Sequence, residues 1–317
     1  MDIEAAKNLN IYLFRIYAMS RANGSAPHKP VFLLSLLDAI DLGFVIDNFF
    51  RITPELTTRF LSNWNRLQLS GHWHPKMAFP FRYLINDGFW EVVINGRVLS
   101  ADELGTPGSL IQLVELVDGG RLSDELWQLL QDQEARDMLR REILRAYFPS
   151  AARERGVLGD AEADILAEEA KLIDEAEAQF KKIRRRSGIE NDYGYNRHLL
   201  FPRVVKGLYG GACALCRLDV KIPPAASLVD GAHILPFAKY HNDDPRNGIA
   251  LCKNHHWGFD AGWFGITDDY RVIVSPKVTA NRRFVENGAS VLIPANRSLA
   301  PAIEALRWHR ENLVMKD

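Results

Sequence analysis

Ser227-Leu-Val-Asp230-Gly-Ala-His233-Ile-Leu-Pro236 and Ile249-Ala-Leu-Cys252-Lys-Asn-His255-His256-Trp-Gly-Phe-Asp260 flank the polar loop His241-Asn-Asp-Asp-Pro-Arg-Asn247-Gly248. The first stretch reads as a short apolar strand stopped by Pro236. Asn247-Gly248 is a turn signal. The second stretch reads as a strand turning into a helix, where His256 and Asp260, four apart, share one face.

Just upstream stands Cys213-Ala-Leu-Cys216. With Cys252-Lys-Asn-His255 it makes two knuckles of two intervening residues each, the spacing at which tight turns aim four side chains at one tetrahedral Zn²⁺. Three thiolates and one imidazole leave no water position, so such a zinc is structural and its binding energy is folding energy. A disulfide framework is disfavoured, since three cysteines leave one thiol over.

Cys213xxCys216, Asp230-Gly-Ala-His233-Ile, Asn247-Gly248 and Leu251-Cys252xxHis255-His256xxPhe259-Asp260 together resemble the HNH endonuclease family, in its zinc-knuckle subtype with a ββα-metal core. The likeness continues through Gly265-Ile-Thr and the Pro294 region to Leu306-Arg-Trp308-His309-Arg310. It implies that His233 is the general base, that Asn247 holds the loop and the imidazole of His233, and that His256 ligates one catalytic divalent metal, Mg²⁺, Mn²⁺ or another. The implied product carries a 5′ phosphate. In the commonest family pattern a metal-binding Asp or His precedes the catalytic His, whereas this chain has Ala232. The missing ligand is then either Asp230, on the same strand, or Asp260, one helical turn after His256. If neither reaches the metal, the site is weak or dead, and the alternative reading is an inactive zinc-stabilised DNA-binding protein. His241 and His309 read as surface or packing residues.

At 317 residues the chain is long enough for two domains and a connector. It has no apolar run of membrane-spanning length and no signal-peptide pattern at Met1-Asp-Ile-Glu-Ala-Ala-Lys, which points to the cytoplasm. The net charge of −1 offers no bulk argument for nucleic acid. Locally the balance differs: residues 1–148 hold 15 basic and 18 acidic side chains, residues 188–317 hold 16 and 13. Between them, residues 149–187 read as a charged linker helix, acidic from Asp160 to Glu177 and basic through Lys181, Lys182, Arg184, Arg185 and Arg186. A homodimer through that helix would bring two single-strand cutters together. The basic run and the nuclease end are the expected footing on double-stranded DNA.

The front region opens with an amphipathic helix near Ala5–Met19. A leucine-rich helix follows His28-Lys29-Pro30 and stops at Gly43, and another runs from Pro54, capped by Thr53, to about Leu67. Asn86-Asp-Gly-Phe-Trp-Glu-Val-Val93 is a turn entering a strand or hairpin. Ala26-Pro27-His28-Lys29-Pro30, Phe79-Pro80-Phe81-Arg82 and Asn86-Asp87-Gly88-Phe89-Trp90 resemble the sulfur-binding domains of phosphorothioate-dependent type IV restriction enzymes. The resemblance implies a phosphate grip at His28 and Lys29, a sulfur cup at Phe79 and Pro80, and a further phosphate contact at Arg82. Phe79 replaces a frequent Tyr, and Tyr83 stands near a usually small residue. Plain helix entry and ordinary core packing also account for these residues.

The expectation is therefore an α+β chain: a mostly helical recognition domain at 1–148, the linker helix at 149–187, and a ββα-metal nuclease domain at 188–317. It would act as a modification-dependent restriction endonuclease, phosphorothioate being the favoured mark. The alternative mark is methylated or hydroxymethylated cytosine, held in an aromatic pocket that Trp64, Trp73 and Trp90 would line.

Overall fold

The leucine-rich run after Pro30 is apolar at almost every position, a pattern that a helix buried on all sides satisfies. The computed structural model describes residues 3–19, 26–67, 73–105, 109–149, 161–176, 180, 192–219, 221–222, 226–278 and 284–315. The chain divides into two compact units, one of 1–167 with 188–196, the other of 168–187 with 197–317.

The first unit runs through α1 (Ile3–Tyr17), α2 (His28–Asp41), α3 (Pro54–Arg66), α4 (Ala78–Tyr83) and a 3-10 turn (Leu84–Asp87). There follow β1 (Trp90–Ile94), β2 (Arg97–Leu99), α5 (Ala101–Leu104), α6 (Leu110–Leu116), β3 (Gly119–Leu122), α7 (Asp124–Leu129) and α8 (Gln133–Tyr147). The buried α2 is the leucine-rich run, and Gly43 follows it at a φ of 69°. Thr53 accepts the Leu56 N–H and Pro54 takes the first helical turn, so α3 starts where its cap dictates. The sheet is antiparallel in the order β2-β1-β3. Its hairpin turns at Asn95 and Gly96, both at positive φ, as the twist of a tight hairpin requires. Phe32, Phe60, Phe81, Phe89 and Trp90 are core, and the Trp90 indole N–H donates to the Phe81 carbonyl at 2.8 Å.

Buried Arg59 and Asp38 of this unit pair with each other. Arg59 donates to Asp38 at 2.6 Å and to Asp164 at 2.8 Å, and Arg140 reaches Asp38 at 3.2 Å. Asp164 lies on α9 (Ala161–Ala176), which is the described part of the expected linker helix. Lys181, Lys182, Arg184, Arg185 and Arg186 lie outside the described residues.

The second unit is built around α10 (Asp192–Leu208, from Arg197 on), β4 (Lys221–Ile222), β5 (Ala226–Ser227) and β6 (Val229–His233), then α11 (Phe237–Tyr240), β7 (Gly248–Cys252) and α12 (Lys253–Asp260). It closes with β8 (Phe264–Ile266), β9 (Val272–Val274), α13 (Ile303–His309) and a π turn over Arg310–Val314. β6 and β7 pair antiparallel with His233 opposite Gly248 and Asp230 opposite Leu251, and α12 follows β7 directly, giving a ββα unit. Phe201 and Val205 of α10 enter the same core as Val229, Ala232, Ile249 and Leu251. The architecture is α+β with small sheets, as the sequence predicts. Among the described residues no helix is long and apolar enough to cross a membrane.

Candidate active site

Cys213 and Cys216 sit in the turn after α10, closed by Arg217 in the left-handed region at a φ of 63°. Cys252 ends β7 and His255 stands in the first turn of α12, so a strand-to-helix corner presents both to that turn. The four ligand atoms lie within 4.8 Å of one another. His255 Nδ1 is 3.5 Å from Cys213 Sγ and 3.1 Å from Cys252 Sγ, and the sulfurs of Cys216 and Cys252 are 3.9 Å apart. A tetrahedral site with metal–sulfur bonds of about 2.3 Å and a metal–nitrogen bond of about 2.0 Å has edges of roughly 3.5–3.8 Å, so the donor set fits a metal. The Nε2–H of His255 donates to the Phe284 carbonyl at 2.8 Å, which leaves Nδ1 unprotonated toward the thiols.

A cleft of about 370 Å³ is lined by His233, Phe237, His256, Asp260 and His309, together with Gly231 and Ala232 of β6. His233, at the end of β6, is stacked face to face on Phe201 at 3.8 Å and 8°. Its Nε2 is 3.0 Å from Asp243 Oδ1. An ionised carboxylate only accepts, so Nε2 carries the proton and Nδ1 keeps its lone pair. Burial lowers the pKa of His233 below the ordinary imidazole value, against the pull of Asp243. Asp243 is itself buried, which favours the neutral acid, but hydrogen bonds from His198 and His233 outweigh that and keep it below the usual carboxylate range.

Asn247 is fully buried and clamps the loop between β6 and β7. Its Oδ1 accepts the Leu235 N–H at 2.8 Å, and its Nδ2 donates to the carbonyls of Leu235 at 3.2 Å and Asn242 at 3.0 Å. Asn247 thus acts on the backbone that follows His233, while Asp243 and Phe201 hold the imidazole itself.

His256 has a carboxylate at each nitrogen. Nδ1 is 3.1 Å from Asp230 Oδ2, and Nε2 is 3.4 Å from Asp260 Oδ2. Asp230 also accepts Lys253 Nζ at 2.8 Å. Burial raises its pKa, but Lys253 and His256 together hold it below the ordinary range. Asp260 lines the cleft, as does Ala232, which shares a strand face with Asp230. His241 caps α11 at a φ of 47°. His309 is packed inside, 1% exposed and stacked on Phe259 at 3.6 Å, with its Nε2–H donating to the Phe259 carbonyl at 2.9 Å.

In the first unit, His28 is buried among Trp64, Trp73 and Phe79, with ring centroids 4.8, 5.8 and 5.7 Å away. Its Nε2–H donates to the His74 carbonyl at 2.9 Å, and burial lowers its pKa. Lys29 pairs with Asp87 at 2.7 Å, both side chains 8% exposed. Arg82 is buried and donates to the Gly105 carbonyl, and Pro80 is buried in α4, whereas Phe79 is half-buried with Lys76 Nζ 5.0 Å over its ring. Trp64 and Trp90 are core residues.

Sequence reasoning passed over His198 and Asp243. Asp243 sits in a loop whose acids follow no spacing rule, and His198 lies 45 residues before it, on a helix outside the motif.

A family model described as HNH endonuclease matches residues 213–267. No curated protein matches the chain. Among solved structures, a modification-dependent TagI restriction endonuclease is 26% identical over 36% of this chain and 37% of its own length, with a TM-score of 0.30. The twin knuckles, the ββα unit and the family match coincide on one segment, so the chain carries an HNH endonuclease domain there.

Proposed function

We propose that this protein is a modification-dependent restriction endonuclease that hydrolyses double-stranded DNA near a mark read by its first unit. The observation that carries the chemistry is the cleft that His233, His256 and Asp260 line together. His233 Nδ1 takes a proton from water as the O–H bond breaks. The water oxygen bonds to phosphorus, and the P–O3′ bond breaks with its electron pair leaving on O3′, which takes a proton from solvent water. The resulting 5′ phosphate and 3′ hydroxyl are products that a ligase could rejoin.

Asp260 and Nε2 of His256 would hold a divalent metal, Mg²⁺ or Mn²⁺, while Asp230 orients the imidazole through Nδ1. When bound, such a metal supplies positive charge against the phosphate oxygens. The Cys213, Cys216, Cys252 and His255 clip would hold zinc, which the three-sulfur, one-nitrogen donor set favours.

For the mark, the reading is phosphorothioate. Phosphate sulfur is soft and poorly hydrated, so an apolar cup beside a cation prefers it to oxygen. Phe79, half-buried beside His28 with exposed Lys76 over its ring, supports that reading better than Lys29 or Arg82, whose cationic groups already have partners inside the unit.

The test is cleavage, with Mg²⁺ or Mn²⁺, of matched DNAs that are unmodified, phosphorothioated, or methylated or hydroxymethylated at cytosine, with His233→Ala as the blank. Cutting confined to phosphorothioated DNA supports the full reading. Cutting confined to modified cytosine changes the mark, and equal cutting of all three removes modification dependence.

A further inference from the structure

We propose that Asp243 and His198 are positioning residues for His233, holding it in the tautomer whose Nδ1 is free to take the proton from water. The proposal rests on the reading of His233 as general base and extends the site to a helix beyond the family match at 213–267.

One oxygen carries the arrangement. Asp243 Oδ1 is 3.0 Å from His233 Nε2 and 3.2 Å from His198 Nδ1, and the carboxylate is buried between them. Two imidazole N–H groups on one carboxylate oxygen fix that oxygen in place, and a fixed oxygen fixes the ring it faces. The ring planes are held as well. His233 lies on Phe201, His198 lies on Phe237 at 3.8 Å, and the two imidazoles are within 22° of parallel. His198 and Phe201 are three apart on α10, so one helical face supplies both the second hold on Asp243 and the floor under His233.

The consequence for the reaction follows from the proton inventory. With Nε2–H committed to Asp243, Nδ1 is the nitrogen with a lone pair. Once Nδ1 has taken the proton, the imidazolium stands against a buried anion. A neutral ring with the proton on Nδ1 has no base to offer at that position, and among the described residues Asp243 is the hydrogen-bond partner that disfavours that tautomer. His198 acts one step further out, by holding Asp243.

The same three side chains also have ligand atoms within 4.8 Å of one another, as a metal site would. Chelation by His233 through Nε2 would displace the Nε2 proton, so the tautomer separates the two arrangements.

The experiment uses the full-length protein labelled with ¹⁵N-histidine. Two-bond ¹H–¹⁵N correlations read the tautomer of His233, and plasmid nicking with Mg²⁺ or Mn²⁺ reads kcat and KM. The expected wild-type state is Nε2–H on His233. Asp243→Ala should mix the tautomers and lower kcat on the order of 10²-fold with KM little changed. Asp243→Asn, which keeps an accepting oxygen and the side-chain volume, should restore the tautomer and part of the rate. His198→Gln should cost roughly fivefold in kcat. Protonation at Nδ1 in the wild type, loss of the Nε2–H signal on adding Zn²⁺, or an Asp243→Ala variant that keeps both the tautomer and kcat would each overturn the proposal. If instead the wild type nicks no DNA, the nuclease cleft is misread, and the tautomer still decides whether Asp243 positions His233.

Discussion

Gly231 faces the backbone of Pro202 so closely that a Cβ on Gly231 would lie 2.6 Å from both the Cα and the carbonyl oxygen of Pro202. The strand that ends in His233 therefore rests directly on helix α10, and backbone cannot step aside as a side chain can. Gly231→Ala should destabilise the second unit by about 1–3 kcal/mol in urea unfolding and lower nicking through the shifted His233. An alanine variant with wild-type stability and rate would mean that strand and helix are not in contact there.

Cys213 and His255 lie on opposite arms of the metal clip, one in the turn after α10 and one on α12. Cys213→Ala should lower zinc content and folded yield together, because the metal ties these elements and its binding energy is folding energy. Zinc analysis of purified protein beside a circular dichroism melt reads both quantities. A variant that stays folded with one zinc per chain would exclude Cys213 as a ligand.

Asp230 and Asp260 take opposite nitrogens of His256, so their loss should be unequal. Asp230→Ala should raise the Mg²⁺ or Mn²⁺ concentration for half-maximal nicking about tenfold, and Asp260→Ala by about 100-fold or more. The reverse order would exchange their roles, making Asp230 the ligand and Asp260 the orienting group.

Lys29 and Asp87 form a buried ion pair, and removing one partner strands the other. Lys29→Ala should cost about 3–5 kcal/mol of stability in the first unit, and Lys29→Met combined with Asp87→Leu should recover much of it. If Lys29 instead gripped DNA, Lys29→Ala would melt like the wild type and lose affinity for DNA.

His309 is buried beside Phe259, and burial pushes its pKa down from 6.5 to about 4. Its folded pKa lies below its unfolded one, so between these values the unfolded chain binds more protons and stability rises with pH. As pH falls from about 6.5 to about 4 the second unit should lose about 3 kcal/mol from this residue alone. Urea midpoints measured across that window, in wild type and in His309→Gln, give the difference. A slope that survives the substitution would assign the acid sensitivity to other groups.

Features that depend on short spacings could be read from the chain alone. Two residues between metal ligands, a proline after an apolar strand, an Asn-Gly turn and a four-residue step along a helix are local geometry, so the clip, the ββα order and the placing of His233, Asn247 and His256 were legible within a segment of about fifty residues. The start of α3 was legible too, because Thr53 and Pro54 act on the backbone beside them.

Tertiary structure decided which carboxylate meets which imidazole. Asp243 and His198 meet His233 only because α10 packs on the β6–β7 pair at two glycines, Gly231 of β6 against Pro202 and Gly248 of β7 against Val205, and no spacing rule spans that distance. It also decided the state of the basic residues in the first unit. His28, Lys29 and Arg82 are phosphate contacts by family resemblance, and α2 and α4 carry them inside, where desolvation requires each to find a partner. Spacing along a chain reports on neighbours in the chain, whereas burial and charge pairing depend on the elements that fold over them.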